Sequence, residues 1–339
     1  MPHRPRLPPS IADIRRAVRT ALDDLEAGDA RPGSTADVLV ALSGGPDSLA
    51  LAAALAFEAP RAGGGLRAGA VIVDHALQPG SDEVAARTAA VATELGLAPV
   101  LVRRVEVGTD GGPEAAAREA RYAALGAAAD ETGARAVLLG HTADDQAETV
   151  LLGLARGSGP TSLKGMDARS GVYRRPLLGI RRSTTHAFCA DAGLTPWADP
   201  QNSDPAFARV RVRETVLPML ERELGPGIVE ALVRTADQLR EDDAALDLFA
   251  DEQAEELADH AEAGISLDVG GLAANPAALR QRLIRLAVES EFAVTLTRSQ
   301  TLEVARLVTD WHGQGAVSLP GITVVRRAGV IHFEATPTH

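Results

Sequence analysis

The stretch Ala41–Leu51, ALSGGPDSLAL, constrains this chain more than any other. Val38, Leu39 and Val40 precede it, and an alanine- and leucine-rich run follows it to Phe57. An apolar strand therefore passes through a Ser-Gly-Gly turn straight into a helix. Gly44 and Gly45 let the backbone turn tightly and approach a ligand with no Cβ in the way. Ser43 and Ser48 add hydroxyls, and the first helical turn offers unpaired N–H groups at the positive end of the helix dipole. Such a turn suits a polyphosphate. No Gly-Lys-Ser/Thr follows, which excludes a Walker loop, and the spacing is not the Gly-x-Gly-x-x-Gly of dinucleotide folds. An ordinary glycine-rich turn reads the same way in isolation, so the rest of the chain has to decide.

Around this stretch the periodicity alternates. Ile11–Glu26 places Ile11, Ile14, Val18, Leu22 and Leu25 at three- and four-residue spacing, the mark of an amphipathic helix. Strands are then expected over Asp37–Leu42, Ala68–Asp74, Pro99–Val107 and Ala136–Leu139. Helices are expected over Ser48–Phe57, Ser81–Leu95, Pro113–Thr132 and Ala143–Leu154. Short apolar strands separated by helices imply an α/β fold with a doubly wound parallel sheet covered on both faces. Ligands of such sheets sit at the carboxyl ends of the strands, where Ser43, Asp74 and His141 fall.

After Leu154 the rhythm breaks. Arg156–Arg174 reads as a long Gly-, Ser- and Arg-rich loop of the kind that carries function, followed by a short helix over Arg182–Ala192. Phe207–Leu224 and Pro226–Ala263 read as helices, the second long and acidic. Short strands at Ser266–Val269, Val317–Leu319, Thr323–Arg326 and Val330–Phe333 close the chain, with helices from Pro276 and near Ser299–Thr309. The expected organisation is a disordered segment over 1–10, a nucleotide domain over 11–210, and a mainly helical domain over 211–339 that ends in a small strand-containing region.

Composition narrows the function classes. A single cysteine, Cys189, excludes internal disulfides and a multi-cysteine metal site and fits a reducing cytoplasm. No run of eighteen apolar residues is present, so no membrane span is expected; MPHRPRLPPS lacks the apolar core of a signal peptide. The net charge of −12 argues at first against nucleic acid. Yet Glu221–Asp268 alone holds fifteen acids against three arginines, the whole of that imbalance. Gly153–Thr185 carries Arg156, Lys164, Arg169, Arg174, Arg175, Arg181 and Arg182 against Asp167 alone. A local basic surface is therefore compatible with the acidic total, although two solvated faces produce the same counts.

His141, Asp144, Asp145 and Glu148 stand at i, i+3, i+4 and i+7 where a strand runs into a helix, so they share one face. Carboxylates there can hold Mg²⁺ or an ammonium group, with a histidine in reach of phosphate. An acidic first turn favoured by the helix dipole has the same pattern.

Six stretches now fall in one order: SGGPDS, VDHALQPGSDEVA, PEAAAREARYAAL, GHTADDQAETVLLGLARGSG, YRRPLL and WADPQNSD, with a weaker echo in LPGITVVRRAGVIHF. The first resembles the pyrophosphate loop (PP-loop) of the N-type ATP pyrophosphatases. The series, from about Leu39 to Pro218, resembles the bacterial tRNA(Ile)-lysidine synthases, which attach lysine to the wobble cytidine of an isoleucine tRNA with a CAU anticodon. The resemblance implies a Rossmann-like PP-loop fold, ATP with Mg²⁺, L-lysine and tRNA(Ile) as partners, a cytoplasmic enzyme, and room for a homodimer. It implies that Ser43, Gly44, Gly45, Pro46, Asp47 and Ser48 hold the ATP phosphates, with Asp47 and Asp144 beside Mg²⁺. It implies catalytic roles for Asp47, His141 and Arg118, with Arg121 as the alternative arginine, and a lysine seat at Asp145 and Glu148. Arg156, Lys164, Arg174, Arg175, Arg209, Arg211 and Arg213 are the expected tRNA contacts.

Departures are visible. Val210 stands where the family commonly has Asn and Thr142 where a second His is frequent. A larger second C-terminal domain of some relatives is expected to be absent. Among other PP-loop enzymes, thiolases need paired cysteines or an iron–sulfur cluster, and glutamine-dependent amidation needs an amidotransferase domain. A non-catalytic adenine-nucleotide module would have no need of Asp145 and Glu148.

Overall fold

The structure is a computed structural model that describes residues 7–25, 32–76, 80–108, 112–157, 159–199, 203–261 and 264–336. It divides into two compact units, Met1–Asp237 and Gln238–His339. The division lies beyond the boundary expected near residue 210.

In the first unit the elements run α1 (Pro9–Leu22), β1 (Val38–Ala41), α2 (Pro46–Glu58), β2 (Ala68–Asp74), α3 (Ser81–Glu94), β3 (Val100–Arg104), α4 (Pro113–Thr132), β4 (Ala136–Leu138) and α5 (Ala143–Ala155). Then come α6 (Pro160–Leu163), β5 (Arg169–Ser170), β6 (Tyr173–Arg174), α7 (Arg182–Asp191), α8 (Ala208–Arg211), α9 (Leu217–Leu224) and the start of α10 (Ile228–Leu257). The sheet order is β3-β2-β1-β4-β6-β5, parallel except for β5. All four residues of β1 are buried, as a central strand covered on both faces requires. On one face Leu39, Val71, Leu125 and Val137 pack together; on the other Val38, Val40, Leu51, Leu55 and Phe188 do, with Ile14, Val18 and Leu22 of α1.

Three expectations are corrected. Helix α1 begins at Pro9, and Ser10 is buried with its hydroxyl donating to Asp191 Oδ2 at 2.5 Å, so residues 9–10 are ordered; residues 1–6 lie outside the described set. The expected loop Arg156–Arg174 contains α6 and the β5–β6 hairpin, and β6 extends the parallel sheet by pairing with β4. Phe207–Leu224 is helical but wound out of register at Val212–Val216, where the Leu217 N–H donates to the Val212 carbonyl five residues back. Such widened turns are frequent at functional sites, and Arg213, which reaches Glu148, lies in this one.

In the second unit α10 ends at Leu257 rather than Ala263. The chain then forms β7 (Ala258–Ala261), β8 (Gly264–Asp268), α11 (Val269–Ala274), α12 (Ala277–Phe292), α13 (Arg298–Thr309), β9 (Val317–Leu319), β10 (Ile322–Arg327) and β11 (Val330–Ala335). The antiparallel order is β7-β8-β11-β10-β9, over a core of Ile265, Leu267, Ile284, Val324, Ile331 and Phe333. No helix among the described residues is long and apolar enough to cross a membrane.

Candidate active site

The turn between β1 and α2 is preorganised. The Ser43 N–H donates to Ser48 Oγ at 3.1 Å, the two hydroxyls lie 3.0 Å apart, and Ser48 Oγ donates to the Gly45 carbonyl at 3.1 Å. Gly44 takes φ +84°, and a Cβ on it would stand 2.8 Å from Thr88 Oγ1. Only glycine fits there. Its carbonyl accepts the Trp197 N–H at 2.9 Å. Pro46 opens α2 where a missing N–H costs nothing. A cavity of about 360 Å³ opens before the turn, lined among others by Ser43, Gly45, Asp74, His75, Arg121 and Trp197. Arg121 belongs to this cavity; burial and the neighbouring Arg118 bring its guanidinium below its ordinary value, while Tyr122 opposes them. Arg118 is exposed and lies against the Tyr122 ring, 4.9 Å from its centroid.

The β4–α5 turn packs directly on this loop: a Cβ on Gly140 would come within 3.1 Å of Ser48 Cα. Thr142 then caps α5. Its N–H donates to Asp145 Oδ2 at 2.8 Å, its hydroxyl donates to the same oxygen at 2.8 Å, and the Asp145 N–H returns to the hydroxyl at 3.4 Å. This is a capping box, formed by Thr at a position where a second His is frequent in the family. His141, just before it, keeps a buried Nδ1 with no hydrogen-bond partner. Burial, with nearby arginines and against the pull of Asp145, pushes its imidazole down to about 3, so it is neutral.

A balanced cluster of charge lies beyond. Glu148, with its side chain 0% exposed, accepts from Arg213 Nε at 2.7 Å and Nη2 at 3.0 Å, and from Arg182 Nη1 at 3.1 Å; Arg209 Nε lies 3.7 Å away. Asp145 Oδ1 accepts from Arg182 Nη2 at 2.9 Å. Arg182 Nε stands 3.5 Å from Asp47 Oδ2, and the Thr185 hydroxyl donates to Asp47 Oδ1. Burial raises the Asp47 carboxyl, and Thr185 and Arg182 offset this only in part. For Asp145 burial acts in the same sense, but Arg182 and Thr142 outweigh it and hold the carboxyl below its usual range. Burial works against the Arg182 charge, yet Asp145, Glu148 and Asp47 together raise its pKa. Asp144 is held at the start of α7: Arg181 Nε and Nη2 donate to it at 3.2 Å each, and the Arg182 N–H at 2.7 Å.

Comparison with known proteins places this geometry. Residues 16–220 match the PP-loop domain family and residues 267–332 the TilS substrate binding domain. A tRNA(Ile)-lysidine synthase of Leifsonia xyli subsp. xyli is 63% identical over 95% of this chain and 98% of its own length. One from Thermobifida fusca is 54% identical over 94% of this chain and 96% of its own. The chain belongs to the tRNA(Ile)-lysidine synthase family. Among solved structures, the U34-tRNA thiolase NcsA of Methanococcus maripaludis matches with a TM-score of 0.51 at 21% identity, over 68% of this chain and 80% of that one, a likeness of fold.

The family expectations meet the geometry unevenly. The residues Ser43, Gly44, Gly45, Pro46, Asp47 and Ser48 form one turn, and Asp47, Asp145 and Glu148 are joined through Arg182. Arg121, not Arg118, lines the cavity. Asp144 has both oxygens engaged by arginine groups, because α7 starts against α5. Of the expected tRNA contacts, Arg174 turns inward to the Ala21 carbonyl at 2.7 Å and to Asp24. Arg175 is buried and donates to the Asp167 carbonyl at 2.8 Å and the Tyr122 hydroxyl at 3.1 Å. Arg209 and Arg213 face Glu148, and Arg211 folds back on the carbonyls of Pro205 and Ala206. Arg156 is exposed and Lys164 half-buried. The sequence reading missed the site roles of Arg182, Thr185 and Arg181; Arg181 and Arg182 entered it only as part of the basic stretch Arg156–Arg182, a candidate for tRNA phosphates, and Thr185 carried no signal.

The site fits ATP on its own terms. The loop is a cradle that a Cβ would fill, and Arg121 and the orphaned His141 Nδ1 lie beside it. For Mg²⁺ the described residues offer no cluster of three or more His, Cys, Asp or Glu. Of the two carboxylates expected beside Mg²⁺, Asp144 is taken by Arg181 and the Arg182 N–H, while Asp47 meets Arg182 at 3.5 Å and the Thr185 hydroxyl; Asp74 and Asp199 are the acids in the cavity lining. Magnesium characteristically takes one or two carboxylates and completes its shell with phosphates and water.

Proposed function

We propose that this chain adenylates the wobble cytidine of CAU-anticodon tRNA(Ile) with ATP and joins L-lysine to it, releasing diphosphate and AMP. The observation that carries this is the contact between the phosphate loop and the carboxylates of α5 through Gly140 and Arg182. It sets an activated phosphate beside an amine seat.

The Ser43–Ser48 turn and the N-terminus of α2 hold the β and γ phosphates, and Arg121 lies against the nucleotide. Asp47 would hold Mg²⁺, which would supply charge neutralisation at the phosphates. Cytidine O2 bonds to the α-phosphorus as the bond to diphosphate breaks, and the leaving charge falls on the loop's N–H groups. The lysine ε-amine then bonds to C2, gives up a proton, and AMP leaves with the former O2. Asp145 and Glu148 receive lysine. Arg156, Lys164 and the second unit serve tRNA, and the enzyme works in the cytoplasm. A homodimer belongs to the same reading, and light scattering of the purified chain reads it directly.

The test incubates the chain with ATP, Mg²⁺, radiolabelled lysine and a transcribed CAU-anticodon tRNA. Label enters the tRNA and one diphosphate is released per lysine joined. Absence of both incorporation and release overturns the proposal.

A further inference from the structure

The lysine seat of the proposed reaction already holds a cation of the chain itself. Arg182, the first residue of α7, makes one contact to each of three carboxylates, Asp47, Asp145 and Glu148, at 3.5, 2.9 and 3.1 Å. With Arg209 and Arg213, three guanidinium groups face three carboxylates, and the cluster is balanced. An incoming ammonium would leave one positive charge uncompensated around a fully buried Glu148, a costly arrangement. One guanidinium therefore has to withdraw as lysine enters.

The contacts decide which. Arg213 grips Glu148 with a fork of 2.7 and 3.0 Å, the strongest geometry available to a guanidinium. Arg209 is anchored on the Thr149 hydroxyl at 3.1 Å, and its departure would vacate no carboxylate oxygen at hydrogen-bond distance. Asp145 has Oδ2 committed to the Thr142 cap, and its other oxygen, Oδ1, accepts from Arg182 at 2.9 Å with Arg213 Nη2 more distant at 3.6 Å. Arg182 is therefore the guanidinium whose movement opens a hydrogen-bonding place on Asp145. The backbone need not follow, because the Arg182 N–H is fixed by Asp144 at 2.7 Å, and only the side chain, 18% exposed, has to swing. Its Nε already faces Asp47 on the phosphate loop, the side from which a triphosphate offers a new anionic partner.

We propose that Arg182 is a positioning residue that stands in for the substrate ammonium. It keeps Asp47, Asp145 and Glu148 charged and aligned while lysine is absent, and lysine binds by exchange with it. Nucleotide and lysine are coupled as a result, since phosphates that draw Arg182 away vacate the seat. This rests on the lysidine reading given above.

Calorimetry of the full chain tests the exchange. L-lysine is titrated into wild type, Arg182→Gln and Arg182→Lys, each with and without a non-hydrolysable ATP analogue and Mg²⁺. Without nucleotide, Arg182→Gln binds lysine roughly fivefold more tightly than wild type, the effect of removing one partly exposed competing ion. Arg182→Lys stays within about twofold, because it keeps the competing charge. The analogue tightens lysine binding in wild type and no longer does so in Arg182→Gln. Lysine affinity in Arg182→Gln that is unchanged or weaker, with an unchanged melt and analogue affinity, overturns the exchange. If Arg182→Gln does not fold, the ¹⁵N-arginine Nε–H resonance missing from Arg182→Lys is followed in wild type, and a resonance that lysine does not move overturns it equally. A wild type that makes lysidine while these tests fail loses the exchange alone. A wild type inert towards lysine and tRNA loses the parent reading, and this one with it.

Discussion

Glu148→Gln separates a lysine seat from a merely acidic helix start. The side chain is 0% exposed and meets Arg213 through two hydrogen bonds and Arg182 through one. Glutamine preserves the volume but turns one acceptor into an NH₂ group facing guanidinium donors. Removing one partner of a buried ion pair costs about 3–5 kcal/mol. The partners are 18% and 22% exposed, so water recovers part of the loss and the lower end, about 3 kcal/mol, applies. For a unit of this size that lowers Tm by roughly 6–12 °C. Scanning calorimetry of the full chain reads the stability term, and steady-state kinetics reads the site: lysine KM rises while ATP KM stays within about twofold. A Tm change under about 2 °C with an unaltered lysine KM would refute the cluster as drawn. An equal rise in both KM values would move Glu148 to the nucleotide.

Gly44→Ala places a Cβ 2.8 Å from Thr88 Oγ1 at φ +84°; a strain of about 1–2 kcal/mol deforms the cradle and raises ATP KM about tenfold, and adding Thr88→Ala relieves the clash but not the backbone term. Arg121→Ala raises ATP KM at least tenfold while Arg118→Ala changes it less than twofold, and the reverse order would return the nucleotide arginine to Arg118. His141 is neutral in the folded chain down to about pH 3, whereas the unfolded chain protonates it near 6.5. Its share of stability is complete above pH 6.5 and falls as pH drops towards 3. By pH 5 the loss is about 2 kcal/mol, so His141→Asn narrows the pH 7.5-to-5 gap in urea stability by about that amount, and an identical gap in the two proteins sinks the assignment.

What could be read from the sequence was local. The Ser-Gly-Gly turn announces itself because Gly44 and the flanking apolar run are adjacent in the chain. Helical periodicity holds for Asp145 and Glu148, which both meet Arg182, but His141 precedes the Thr142 cap of α5 and Asp144 pairs with Arg181. The direction of each arginine between Arg156 and Arg213 was not legible. Arg174 answers to Asp24, Arg175 to Tyr122 and Arg182 to Asp47, partners 150, 53 and 135 residues away, and a charge count treats all three as surface. Arg118 and Arg121 differ by less than a helical turn, so only the placement of the cavity separates them. Likewise Ala258–Ala261 continues the alanine- and acid-rich pattern of α10 and reads as helix; pairing with β8, a tertiary fact, makes it a strand.

The balanced cluster also bears on how an amine can attack from a seat made of carboxylates. Carboxylates alone would raise the pKa of bound lysine and keep its ε-nitrogen protonated and inert. Guanidinium groups at Glu148 oppose this, and Arg182 does so conditionally. While it is displaced, the cluster carries one excess negative charge that welcomes an ammonium. When it returns as far as Asp47, with the amine still at Asp145, the excess is gone, and the nitrogen held there is favoured as the neutral amine. Tight binding and nucleophilicity are thus separated in time by one side chain. Arg182→Gln keeps the welcoming state and loses the other, so its lysine KM falls while kcat at neutral pH falls as well. Its kcat recovers on the alkaline side, with the rising limb displaced upward by roughly one pH unit, since a unit corresponds to about 1.4 kcal/mol of lost repulsion. A kcat–pH profile parallel to wild type, lowered but not displaced, refutes this account and leaves Arg182 a role in alignment only.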